Sequence, residues 1–175
     1  MILKLAHQCR LRPANAETTQ KLWQYVRELP DPNEDLSPNL DTPLAAMISM
    51  EGKLALELMQ ELLARGADPD RTDAVLSSPL HKAVELQSTD KVQVLLSAGA
   101  NPLAVDHRSQ NPLHLACTAE DIEVARLLVD AAPEAVLQED SFGCTPVNLL
   151  EDRCLDSIPT EMLELMNQAR RRLDP

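Results

Sequence analysis

At 175 residues the chain is long enough to bury a continuous core without help from disulfides or metal, and one domain is the natural count. Aromatic residues are confined to Trp23, Tyr25 and Phe142 while Leu, Ala and Val abound, so the core is aliphatic and helical, which disfavours β-rich folds. The formal charge of −12 argues against a nucleic-acid surface, because phosphate binding needs clustered Lys and Arg.

In chain order, Met1-Ile2-Leu3-Lys4-Leu5-Ala6-His7 is an apolar stretch too short for a signal peptide, and no later run approaches the length of a membrane span. A helix is predicted near Ala16 to Leu29, closed by the turn Pro30-Asp31-Pro32-Asn33. Then a repeated signal begins. Thr42-Pro43-Leu44, Ser78-Pro79-Leu80-His81, Asn111-Pro112-Leu113-His114 and Thr145-Pro146-Val147 recur with a spacing near 33 residues. Ser, Thr or Asn before Pro is an N-cap followed by the first helical position, where the missing proline N–H costs nothing. A second helix follows each time. Val92, Leu95 and Leu96, like Ile122, Ala125, Leu128 and Val129, form a one-sided apolar stripe. Leu62-Leu63-Ala64-Arg65-Gly66-Ala67-Asp68-Pro69 and Leu95-Leu96-Ser97-Ala98-Gly99-Ala100-Asn101-Pro102 share the period, with Gly66 and Gly99 ending their helices in the left-handed conformation. In the next unit Ala132-Pro133-Glu134 replaces that glycine, so a proline block stops the helix. Three extra residues around Glu51-Gly52-Lys53 are read as lengthening the first helix or its connection to the second. Ser157-Ile158-Pro159 opens a last helix with Met162, Leu163, Met166, Ala169 and Leu173 on its apolar side.

On these motifs the sequence resembles the ankyrin-repeat family, whose unit is a β-turn and two antiparallel helices with a Thr-Pro-Leu-His signature. The resemblance implies an all-α solenoid of stacked helix-turn-helix units with β-turn fingers. Units are placed at 1–36 (N-terminal cap), 37–72, 73–105, 106–139 and 140–175 (C-terminal cap). Leu3-Lys4-Leu5-Ala6-His7-Gln8 echoes Leu113-His114-Leu115-Ala116 and marks the first unit. No pair of helices buries its stripe alone, so neighbours supply the core and the end units present polar outer faces. The glycine usual in the β-turn survives only as Gly143; Leu40, Leu76 and Ser109 stand in the equivalent places, which predicts distorted turns.

Few residues suggest chemistry. His81 and His114 sit in the signature, where family members use the imidazole to bond neighbouring turns. No nucleophile elbow, glycine-rich phosphate loop or helical metal-ligand pair occurs in the sequence. Cys9, Cys117, Cys144 and Cys154 form no CxxC pair and read as reduced thiols, which places the protein in the cytoplasm; Cys117 is read as core. Arg170-Arg171-Arg172 is read as meeting a helix dipole, and Trp23 or Tyr25 as packing on the next unit.

By the resemblance, a partner protein is gripped on the concave side by turn tips and first helices. The matching positions are Asn39 and Asp41; Val75 and Ser77; His107, Arg108 and Gln110; Ser141 and Phe142; and, on the helices, Met50, Glu85, Leu86, Thr118, Asp152 and Arg153. Exposed apolar groups amid charge mark an interaction surface; the alternative for Phe142 is packing on an adjoining turn. Acids are concentrated at 31–73, ten against three bases, and at 111–145, seven against one. They suit a partner of basic or mixed charge, or serve only solubility. The expectation is a non-catalytic adaptor, inhibitor or effector, monomeric by itself, without cofactor, metal, nucleic acid or membrane insertion; the alternative is an enzyme or small-ligand protein that uses the repeats as scaffold.

Overall fold

The structure, a computed structural model, describes residues 16–37, 42–151 and 160–173. The opening segment, residues 38–41, where a turn was expected, and Ser157-Ile158-Pro159, expected to open the last helix, lie outside them. Among the described residues there are helices and turns but no strand. The helices are α1 (Ala16–Glu28), α2 (Pro43–Ile48), α3 (Lys53–Ala64), α4 (Pro79–Glu85), α5 (Thr89–Ser97), α6 (Pro112–Ala119), α7 (Ile122–Ala131), α8 (Pro146–Glu151) and α9 (Thr160–Leu173), with a 3-10 turn over Pro133–Leu137.

The first helices start where a short polar side chain can replace a missing helical partner. Thr42 Oγ1 accepts from the Ala45 N–H at 3.2 Å, Ser78 Oγ from His81 at 3.4 Å and Asn111 Oδ1 from His114 at 3.0 Å, each with proline at the next position. The second helices stop at glycine. Gly66 and Gly99 have φ of 92° and 88°, and the following N–H groups of Ala67 and Ala100 close back onto Leu62 and Leu95 at 2.9 and 3.0 Å. Helix α7 instead ends at Ala131 and runs through Ala132 into the Pro133 turn.

Two layers result. Within a unit α2 packs on α3, α4 on α5 and α6 on α7; between units α2, α4, α6 and α8 touch in series on one side, and α1, α3, α5, α7 and α9 on the other. Leu58, Leu62, Leu80, Leu95, Leu113 and Leu128 are fully buried in the continuous apolar seam between the layers. No unit could enclose that seam alone.

Of the two places expected to take up the extra residues of the first described repeat, its first helix is not lengthened and its connection to the second is. Helix α2 has six residues against seven in α4 and eight in α6, whereas α3 has twelve against nine in α5. The insertion is taken up by α3 and by the connection Ser49–Gly52. That connection folds inward and puts Met50 in the core at 1 % exposure.

Two cations fix these unusual ends. Lys91 of α5, only 6 % exposed, donates from Nζ to the carbonyls of Ile48 at 2.7 Å and Met50 at 2.6 Å, where α2 would otherwise leave acceptors without partners. Arg65 does the same for α1, donating to the carbonyls of Arg27 and Leu29 at 2.7 and 2.8 Å. In both cases a base on one unit caps a helix of the unit before it.

Candidate protein-binding surface

The fingers are loops of one design. In 73–77, 106–110 and 140–144 an aspartate opens the loop, and its Oδ1 accepts two backbone N–H groups, two and four residues on. The distances are 3.0 and 2.9 Å for Asp73, 2.8 and 2.9 Å for Asp106, and 2.9 and 3.0 Å for Asp140. The aspartate N–H then bonds the carbonyl of the fifth residue, at 3.1, 3.0 and 2.9 Å. At the fourth position the chain must turn left-handed. Leu76, Ser109 and Gly143 have φ of 59°, 58° and 76°.

The expected distortion is therefore absent from these three fingers. Leu76 and Ser109 adopt the same turn as Gly143, at a cost of about 1–2 kcal/mol for a side chain in that region. The aspartate clamp holds them there. Burial works against its ionised form, yet the Lys82 ammonium at 3.1 Å and the N–H groups of Ser77 and Val75 hold the Asp73 carboxyl below the usual carboxylate range. At Asp140 burial is likewise outweighed, by the N–H groups of Cys144 and Phe142 and by His114 and Gln110.

Histidines seat the fingers on the helices. The Ser78 N–H donates to His81 Nδ1 at 3.2 Å, which leaves Nε2 to donate to the Gln110 carbonyl of the next finger at 2.9 Å. His114 takes the Asn111 N–H at 3.1 Å and reaches the Cys144 carbonyl at 3.1 Å in the same way. Both imidazoles are buried, and burial pushes their proton affinity below that of an ordinary histidine. Their role is structural.

The sequence-predicted contact residues separate into three groups. Val75, Glu85, Leu86, His107, Arg108, Thr118, Ser141 and Phe142 are exposed, with Phe142 the extreme at 82 %. Gln110 is half-buried, and its carbonyl is the acceptor for His81. Met50 and Ser77 are corrections. Met50 lies in the core, and Ser77 is buried with its N–H held by Asp73, so neither offers a side chain to a partner. Asn39, Asp41, Asp152 and Arg153 lie outside the described residues. Phe142 does not fold over an adjoining turn; its ring stands in solvent.

Sequence reasoning missed Asp73, Asp106 and Asp140 as the organisers of the fingers, although each stands five residues before a cap, at the repeat's own spacing. It also missed Val105 and Leu137, which are 40 % and 51 % exposed. Cys117 is core as read, its thiol pushed up to about 12 by burial. On the edge of the stack formed by the helix-to-helix connections, Ser49, Lys53, Leu56, Gln87 and Asp90 line an open cavity of about 500 Å³ beside Lys91, whose ammonium is already engaged by the two carbonyls. Among the described residues no group of three His, Cys, Asp or Glu is placed to hold a metal ion, and no helix is long and apolar enough to cross a membrane.

No curated protein matches this chain. A family model for ankyrin repeats, three copies, matches residues 44–139, more than half of the sequence. The matched span takes in α2 to α7, whose capped first helices, apolar second helices and bonded fingers repeat with the period of the sequence. The chain belongs to the ankyrin-repeat family.

Proposed function

We propose that this protein is a non-catalytic adaptor, inhibitor or effector that binds another protein through its concave side, with the finger tips and exposed first-helix positions in contact. Ankyrin repeats are generally protein–protein interaction modules, and they are generally not catalytic. The observation that supports the finger surface most is Phe142, the one phenylalanine of the chain, left 82 % exposed at a tip. A ring in water on a rigid loop is the kind of group that a partner covers, since interface hot spots are enriched in aromatic residues. Val75 and Leu76, half-exposed on another tip, and Leu86 extend the apolar character. The remaining contact positions proposed are Asn39, Asp41, Glu85, His107, Arg108, Gln110 and Asp152.

The protein acts as one domain of five units, monomeric by itself, in the reducing cytoplasm. Its acids favour a partner of basic or mixed charge. The test begins with affinity capture and mass spectrometry, followed by titration of the captured partner. Phe142→Ala combined with Val75→Ser weakens binding at least roughly tenfold while the melting temperature moves little. Unchanged affinity, or a loss of binding in step with a melting point several degrees lower, refutes the finger surface. Association that slows as salt screens the charges over about 8–10 Å supports the partner's charge, and a salt-independent rate removes it.

A further inference from the structure

The fingers are joined to one another by a backbone ladder of constant register. The third residue of each finger offers its carbonyl to the N–H of the second residue of the next: Val75 accepts from His107 at 3.2 Å, and Arg108 accepts from Ser141 at 2.8 Å. One more step of the same ladder falls on the Phe142 carbonyl. Among the described residues no N–H reaches it. Among the described residues the last acceptor of the ladder thus belongs to the residue whose ring is most exposed, flanked by the exposed Ser141 and Gly143.

Charge narrows the occupant. Glu134 and Glu139, before the Phe142 finger, are exposed acids with no Lys or Arg between residues 131 and 150, and Arg108 is the lone arginine or lysine on the finger before. A second copy of the chain, at a formal −12, would bring like charges together. A segment carrying Lys or Arg meets opposite charge instead.

We infer that the Phe142 carbonyl and ring form an open ladder end that receives an extended segment of a partner protein. The segment donates one backbone N–H to that carbonyl, lays an apolar side chain on the ring and carries basic residues on its flanks. This rests on the protein-binding reading above and specifies how one part of the surface works. Strand addition at an exposed edge has this chemistry: the main chain supplies hydrogen bonds and alternate side chains supply selectivity.

The test uses the full chain and a fluorescein-labelled peptide of sequence Lys-Lys-Thr-Ile-Thr-Lys-Lys, followed by anisotropy. A set of the same peptide, methylated on one backbone nitrogen at a time, removes each donor in turn. The expected result is binding that weakens about fivefold or more for one methylated position, as fits the loss of one hydrogen bond. Phe142→Ala weakens it comparably, Gln93→Ala on the exposed side of α5, outside the finger surface, leaves it unchanged, and a peptide with glutamate in place of every lysine does not bind. If the peptide fails to bind, or every methylated form binds equally, the ladder end is refuted. Should methylation be tolerated while Phe142→Ala and Val75→Ser both weaken binding, the fingers bind through side chains and the broader reading survives. Indifference to both substitutions overturns both readings. A dimer of the free chain that Phe142→Ala dissociates would make the occupant a second copy and overturn the partner assignment.

Discussion

Replacing Lys91 with methionine keeps most of the side chain's volume and removes only its charged donor. In the parent the ammonium, on a side chain only 6 % exposed, satisfies the Ile48 and Met50 carbonyls at 2.7 and 2.6 Å. Hydrogen bonds from a charged group contribute about 1.5–3 kcal/mol each, and a buried acceptor stripped of its partner costs about 1–3 kcal/mol. Against this, methionine escapes the desolvation of a buried cation, a gain of similar order. The carbonyls decide the sign, because they cannot leave with the charge, and a net loss of about 2–4 kcal/mol is expected for Lys91→Met. For a chain of this length that lowers the melting temperature by roughly 4–16 °C. Urea unfolding followed by circular dichroism gives the free energy, provided that the slope of the transition is unchanged. Lys53→Met is the control: its side chain is 88 % exposed and, at 3.5 Å, pairs with Glu57 on the same helix, so its effect stays within about 0.5 kcal/mol. If Lys91→Met is as stable as the parent, the cation is not a cap and the account of the first repeat's long connection is wrong.

Other expectations follow from burial and backbone geometry. Leu95→Ala or Leu128→Ala, each emptying a fully buried site between units, lowers stability by about 2–5 kcal/mol, read from the urea midpoint. Leu76→Gly relieves a left-handed leucine that is 53 % exposed, and raises the urea midpoint by the equivalent of about 0.5–1 kcal/mol after the entropy of the new glycine is counted. His81 and His114 bind protons less readily folded than unfolded, so their contribution is fully present above the ordinary value of 6.5 and is lost as pH falls below it. Asp73 and Asp140, whose folded values are also lowered, add a second loss as pH drops through the carboxylate range below 3.8. A urea midpoint that stays level from about pH 7.5 down to 5 would contradict the histidine part.

The frame of the fold could be read from residues whose effect is local. A Thr, Ser or Asn before proline caps a helix whatever surrounds it, and Gly66 and Gly99 turn left-handed because glycine alone does so freely. The features that escaped depend on contact between units. Lys91 follows Ser88, Thr89 and Asp90, a stretch that looks solvated, and only the neighbouring repeat's inward-folded connection turns its ammonium into a cap. Met50 was assigned to the surface by its place in the repeat, but the insertion beside it shifts that place into the core. The turns were expected to deform without glycine because the carboxylate five residues before each cap had not been counted among the forces acting on them. Of the proposed surface, Val75, Leu86 and Phe142 were legible as apolar side chains where a turn or helix edge should be polar; their exposure could only come from the structure.

Each finger closes on its own aspartate through main-chain N–H groups, to which the His107 ring only adds, 3.8 Å from the Asp106 carboxylate and 3.2 Å from the Val75 carbonyl. Frame and reading head are therefore separable. Ala74-Val75-Leu76, His107-Arg108-Ser109 and Ser141-Phe142-Gly143 present three unrelated chemistries on one backbone shape. Such a tip behaves as an exchangeable cartridge: a new triplet alters what the surface recognises while the loop that carries it, and the helices beneath, keep their places. A lineage or a designer can thus change the protein's target in steps of three residues, without renegotiating the fold at each step.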